Sequence, residues 1–354
     1  MSTIVKKELK FLDFHEFLAS GFIMQNPANL KVYIGITGGH TNSTLGPFRS
    51  PFFQNGFEYF GASDIFEVDL NQLYLWIDEY FKESTQIIKE SDSDLDFADD
   101  VADCLKWINS SDTLTKLVSV TTATYQFKNS SHPISKLKKL TQNLNGFIYG
   151  HWNDEQGILG VSPEPLFYQD EQRYYTLALA GTISTDKNDF DKIILEDSKE
   201  ITEHQFVIKD IQNKLLQVAN KISVHPTEVY NFGPIAHLRT LIEFDYTMGD
   251  CANLVNILGP TAALGGYPSK LCFEYLRKTK YYQIEKENRY FGGVYGLDLP
   301  GLSFGLVGIR NIIWNKDKLS IHSGSGIVQG SIVQNECDEV YKKRKSIEDI
   351  FIDE

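Results

Sequence analysis

Glu200 and Glu203 stand three residues apart, and Glu336, Glu339 and Lys343 follow one another at intervals of three and four. On a helix each of these sets shares one face. A solvated salt-bridge face is the plain reading of either set alone. If the two sets converge, four carboxylates repel one another unless a cation sits among them. Oxygen-only ligands favour Mg²⁺ or Mn²⁺ over zinc.

Other residues carry weaker signals. Ser323-Gly-Ser-Gly-Ile-Val-Gln-Gly330 follows the strand-like stretch Lys318 to His322. Its glycine spacing and the short chain beyond it do not fit a dinucleotide-binding βαβ unit. The expectation is a backbone turn whose amides lie open to an anion. Ser162-Pro163-Glu164 places a carboxylate in a sharp turn after a strand, and Leu179-Ala180-Gly181-Thr182 ends another. Lys116 opens a β-branched run, where a surface lysine is the plain reading. Arg310 sits inside the apolar run Leu306 to Ile312, and a buried guanidinium needs an anionic partner. His204 and His237 accompany no nucleophilic cysteine or serine motif, so a hydrolase triad has no support.

These residues need elements to hold them. Lys31 to Thr37, Leu117 to Phe127, Gly146 to Trp152, Tyr174 to Ala180 and Phe304 to Trp314 are rich in Val, Ile, Tyr, Phe and Thr and read as strands. From Arg289 to Val328 the pattern is an antiparallel meander without room for crossover helices. Ile201, Ile208, Ile211, Leu215, Val218 and Ile222 form one helical apolar stripe, and Val333, Val340 and Ile347 form a second. Glu200, Glu203, Glu336 and Glu339 border those stripes. Strands with separate amphipathic helices predict an α+β fold of layered antiparallel sheets with helices outside. No repeat or linker divides the chain, so residues 1–354 are expected to form a single domain.

The formal net charge of −13 excludes a general polyanion binder, which would carry a basic face, so no nucleic-acid partner is expected. A small anion would need a local positive pocket. The acidic run Glu90 to Asp103 reads as a solvated loop or helix start. The N-terminus lacks the apolar stretch of a signal peptide, and no run of about 18 apolar residues predicts a membrane span. The 4 cysteines show neither C-x-x-C nor zinc spacing. A cytoplasmic protein with reduced thiols is the expectation.

Taken in order, these fragments resemble the chorismate-utilising enzymes: the anthranilate, aminodeoxychorismate, isochorismate and salicylate synthases. The resemblance covers about residues 112–345, with 1–111 a divergent part of the same domain. It rests on Lys116-Leu-Val, Gly160-Val-Ser-Pro-Glu164, Leu179-Ala-Gly-Thr182, Lys199-Glu-Ile-Thr-Glu-His204 and His237-Leu-Arg-Thr240. It continues through Pro260 to Pro268, Phe291-Gly-Gly-Val, Gly308-Ile-Arg310, Gly324-Ser-Gly-Ile-Val328 and Glu336-x-x-Glu339-x-x-x-Lys343. The resemblance implies the chorismate-binding-enzyme fold, a monomer, Mg²⁺ as cofactor and chorismate as substrate. It implies that Glu203 and Glu339 bind the metal, with Glu200 and Glu336 helping directly or through water. The metal would hold the ring carboxylate. Arg310, the Gly324 and Gly326 amides and Lys343 would hold carboxylate, with Leu179, Ala180, Gly181, Thr182, His237 and Thr261 lining the pocket.

Two positions discriminate within the family. Ammonia-using members resemble one another in carrying glutamine where Lys116 stands, so lysine implies a general base that activates water. Aminodeoxychorismate synthases carry a nucleophilic lysine where Ala180 stands. Water would then attack C2 while Glu164, as general acid, protonates the departing C4 hydroxyl, giving isochorismate for menaquinone or siderophore synthesis. Salicylate synthases share both features and then eliminate pyruvate. A non-catalytic chorismate-binding protein would be expected to lack Lys116 or Glu164. Thr121, Gly259 and Leu297 depart from the family's usual arginine, histidine and tryptophan.

Overall fold

The computed structural model describes residues 5–6, 12–38, 44–53, 56–81, 87–92, 97–127, 132–186, 188–247, 249–286, 289–316 and 318–352. The β-branched and aromatic runs form strands that pair into two sheets, of 11 and 9 strands among the described residues. Val5–Lys6 lies parallel to Ala62–Val68. The other pairings are antiparallel, in keeping with the absence of βαβ patterning. The larger sheet contains Lys116–Phe127, Phe147–Trp152, Gln156–Ser162, Asn311–Asn315 and Lys318–Val328. The smaller one contains Pro165–Asp170, Arg173–Ser184, Ile235–Phe244, Val294–Leu299 and Leu302–Val307. Phe22, Tyr149 and Ile158 of the first pack against Leu297, Phe304 and Leu306 of the second, forming one core between the sheets.

The chain crosses between sheets at two points that matter for the site. Ser162 ends a strand of the larger sheet and Pro165 begins one of the smaller, leaving Pro163 and Glu164 at the crossing. Gly308, Ile309 and Arg310 make the return crossing, between Leu302–Val307 and Asn311–Asn315. The crossings are tied together: Val307 N–H donates to the Glu164 carbonyl (2.9 Å) and Val161 N–H to the Arg310 carbonyl (3.2 Å). Arg310 therefore lies at a break between strands, at φ 54°, and not within the continuous strand expected from its apolar neighbours.

Two helices carry the glutamates. Ser198–Leu215 packs on the smaller sheet through Val207, Ile211 and Leu215, all fully buried and each contributing about 1.5–3 kcal/mol. Asp197 caps it, accepting from the N–H groups of Lys199 (2.9 Å) and Glu200 (3.1 Å). The stripe was expected to run to Ile222, but Ile222 begins the strand Ile222–Val224. Val333–Phe351 packs against Lys318–Val328, burying Val340 and Ile347.

Two further expectations change. Arg173–Ser184 does not end at Leu179–Thr182; it continues through a bulge at Gly181, where φ is 73°. Gly324 and Gly326 lie in a strand rather than a turn, paired with Val120 and Val118. On its other side the neighbouring strand reaches only Ile321, leaving that edge open beside the site. Residues 93–96 of the acidic run lie outside the described residues. Its later part starts the helix Phe97–Asn109, where Asp100 is buried and accepts from Lys280 N–H, so the run is only partly a solvated face.

Candidate active site

Lys116 is fully buried at the head of its strand, with Nζ 2.9 Å from Glu203 Oε1. Gly326 runs alongside, and a Cβ there would fall 2.2 Å from Glu203 Oε1 and 3.0 Å from Lys116 Cε. A glycine is required for this close approach. Lys116 is thus no surface lysine.

Glu164 is buried at its crossing. The Thr261 hydroxyl donates to Glu164 Oε1 (3.1 Å). Burial pushes the carboxyl up from 4.5 to about 7, although Thr261, Lys116 and Arg310 pull the other way. Thr261 is held from behind by the glutamate-bearing helix. Lys214 donates to the Leu258 and Pro260 carbonyls (3.1 and 2.7 Å), and Asp210 accepts from Ala262 N–H (3.1 Å).

Arg310 is buried, with its guanidinium over the Phe232 ring and Nη2 3.3 Å from His237 Nε2. His237 Nδ1 lies 2.9 Å from the Gly181 carbonyl, which requires the proton on Nδ1 and leaves Nε2 to accept from Arg310. Burial, with Arg310 and Lys343 nearby, holds this imidazole down at about 3, so it is neutral. Arg310 Nε has no hydrogen-bond partner, and burial lowers the guanidinium to about 10 against the pull of Glu339 and Glu164. A buried donor of this kind suits an anion. His204, neutral through burial, is 2.8 Å from the Thr240 hydroxyl and takes a supporting place.

The two helices bring all four glutamates into one cluster. The bulge at Gly181 turns Thr182 N–H onto Glu200 Oε2 (2.7 Å). Ser325 donates to Glu336. Lys343 pairs with Glu339 and donates to the Gly324 carbonyl (3.0 Å). Lys199 Nζ lies 3.0 Å from Glu200 Oε1 and 3.1 Å from Glu336 Oε1. Burial, then Glu203, pushes Glu200 up to about 7; burial and Glu339 push Glu336 up as well. Burial also opposes ionisation of Glu339, but Lys343 and Lys199 prevail and hold it below the usual range.

Two cavities flank the cluster. The inner one, about 50 Å³, is lined by Glu164, Leu179, Ala180, Gly181, Thr182, Glu203, His237, Arg310, Gly324, Gly326 and Lys343, together with Phe291 and Leu264. Lys116 and Thr261 stand behind its walls, each bonded to a carboxylate that faces it. The outer cavity, about 480 Å³, takes Lys199, Glu200, Glu336 and Glu339, and Thr182 borders both. Sequence reasoning missed Lys199 and Ser325 as members of the cluster. Their only signal was adjacency to Glu200 and to the two glycines. Leu297 fills the core between the sheets, and Gly259 leads into the Thr261 loop.

The donors suit a hard divalent cation: carboxylate oxygens alone, mutually crowded, with buried Glu336 Oε1 lacking an aligned hydrogen bond. Among the described residues no three acidic, histidine or cysteine side chains are already gathered at one point as a ligand set. The glutamates are turned to Lys116, Lys199 and Lys343 instead.

A family model described as chorismate binding enzyme matches residues 71–351. Isochorismate synthase MenF of Escherichia coli K12 is 28% identical over 207 residues, 57% of this chain and 47% of that protein. The Haemophilus influenzae protein of the same name is 26% identical over 263 residues, 70% of this chain and 60% of its own length. The matched stretch therefore spans about half of these curated relatives. The solved structure of MenF, the menaquinone-specific isochorismate synthase from E. coli, superposes with a TM-score of 0.80 at 17% identity, covering 98% of this chain and 93% of that one. At that identity the likeness is one of fold. No helix among the described residues is long and apolar enough to cross a membrane.

Proposed function

The chain belongs to the chorismate-binding enzyme family, and from that premise we propose that it is an isomerase converting chorismate to isochorismate. The observation that carries this reading is the pair Lys116 and Glu164. One is a fully buried amine and the other a buried carboxyl poised near 7, beside a cavity whose wall at Ala180 offers no nucleophile. Water supplies the oxygen. Lys116 takes its proton as general base while the oxygen bonds to C2. The ring's two double bonds shift, the C4–O bond breaks, and Glu164 passes its proton to the departing hydroxyl, which leaves as water. Arg310, oriented by neutral His237, and Lys343 supply the positive charge that an acidic protein needs to bind a dianion.

Glu203 and Glu339, with Glu200 and Glu336, would hold Mg²⁺. When bound, the ion would neutralise carboxylate charge and attract the ring carboxylate of the substrate. Chelation should abolish turnover, and Mg²⁺ or Mn²⁺ should restore it. Glu203→Ala and Glu339→Ala should lose metal-dependent activity while circular dichroism shows an intact fold. Full turnover in a chelator-treated sample would remove the metal from the mechanism.

Product analysis after incubation with chorismate and Mg²⁺ tests the reaction itself. Isochorismate should be the main product. Salicylate with stoichiometric pyruvate would make the protein a salicylate synthase, and anthranilate formed with ammonium would overturn water as nucleophile.

A further inference from the structure

We propose that Lys199 is a tethered cation that occupies the glutamate cluster in the metal-free protein and must be displaced for a divalent ion to bind. The inference rests on the reading of Glu200, Glu203, Glu336 and Glu339 as the metal site. Lys199 Nζ bridges the two helices, 3.0 Å from Glu200 Oε1 on its own helix and 3.1 Å from Glu336 Oε1 on the other. Its two contacts are oxygens that a metal would need. An ammonium about 3 Å from these oxygens would lie within a few ångströms of a divalent ion ligated by them, and like charges at that range repel strongly even at a moderate dielectric.

The three lysines of the cluster differ in their freedom to leave. Lys116 is wholly enclosed, at 0% side-chain exposure, and Lys343, at 11%, is tied to the Gly324 carbonyl besides Glu339. Lys199 is 26% exposed and lies on the wall of the 480 Å³ outer cavity, while Glu336 beneath it is 1% exposed. Asp197 fixes the Lys199 backbone at the helix cap, so its flexible stem can swing outward without moving either helix. The wall it would clear also carries Asp197 and Asp338, which favour the arrival of a cation from that side. Lys199 therefore holds the repelling glutamates together until the ion takes over their charge.

The test is Mn²⁺ binding by calorimetry, without substrate, to the wild type, Lys199→Met and Lys199→Arg. Lys199→Met should bind Mn²⁺ about 10–100-fold more tightly, and Lys199→Arg, which keeps the charge, should not. In chelator, Lys199→Met should unfold at a lower temperature than the wild type, and saturating Mg²⁺ should close the gap. Should Lys199→Met not fold, Lys199→Gln carries the same expectation with a polar side chain. Unchanged or weaker Mn²⁺ binding by the neutral variants would overturn the proposal, making Lys199 a residue that aligns the ligands. A wild type that binds neither Mn²⁺ nor Mg²⁺ would instead remove the metal reading beneath it.

Discussion

Replacing Lys116 with alanine should lower kcat by about 10²–10⁴-fold, the usual contribution of a general base, with chorismate binding largely retained. The amine is fully buried, and its placement is fixed from several sides. Its strand pairs with Val328 on one side and Tyr267 on the other, and Gly326 keeps open the space beside its stem. Alanine also deprives Glu203 of its ion partner. Breaking a buried pair from one side costs about 3–5 kcal/mol, so Lys116→Ala should be destabilised when metal-free and partly rescued by Mg²⁺. Lys116→Arg separates the two roles, because a guanidinium keeps the charge but cannot surrender a proton to become a base. It should retain more stability than alanine and equally little activity. Because Lys116 and Glu164 act together in one step, the Lys116→Ala, Glu164→Gln double variant should lose much less than the product of the single losses. Near-wild-type turnover by Lys116→Arg would remove Lys116 as the base.

The parts of this site that were legible in the sequence are those that leave a periodic or compositional trace. The glutamate pairs border apolar stripes, so their helices and shared faces could be read directly. Their convergence could not, since it depends on which sheet each helix covers. Arg310 looked like a strand interior because Leu306 to Ile312 is otherwise apolar except for Asn311. The segment is buried along its length, Arg310 and Asn311 included, so the crossing at Gly308–Arg310 carries no exposed polar loop to mark it. Gly324 and Gly326 looked like a turn because small residues usually mark one. Here Gly326 is small because Glu203 and Lys116 crowd it, and Gly324 because the Ser119 carbonyl and Val120 of the paired strand do, a demand set by residues far away in sequence. Ile222 continued the helical period by coincidence. The chain leaves the helix after Leu215, and Asn220 and Lys221 donate their N–H groups to Asp245. Lys199 was invisible for a simpler reason: a lysine beside a glutamate is the commonest of surface patterns.

Glu164→Gln should lose activity and gain stability, and the gain should depend on pH. As general acid, Glu164 must arrive protonated, and glutamine has no proton to give, so kcat should fall by about 10²–10⁴-fold. In the wild type, kcat/KM should decline as pH rises through about 7, where burial has placed this carboxyl. The same burial costs folding energy. In the unfolded chain the carboxyl ionises around 4.5, whereas the fold holds its proton up to about 7. Between those values the native state binds more protons than the unfolded one, so stability falls as pH rises and the loss is complete only above the folded value. A rise from 4.5 to about 7 corresponds to a loss of about 3 kcal/mol. Glutamine stays neutral and its side-chain oxygen can still accept from Thr261, so it escapes that loss. Urea unfolding should show the advantage of Glu164→Gln growing from about pH 4.5 and levelling off above about pH 8, near 3 kcal/mol. The charged form is costly in the fold because the site keeps it dry, which is also why the acid form is present to donate. A variant that is inactive but no more stable at pH 8 than at pH 5, relative to wild type, would show that Glu164 is solvated and ionised in the native state. The proton delivered to the C4 hydroxyl would then have to come from another group.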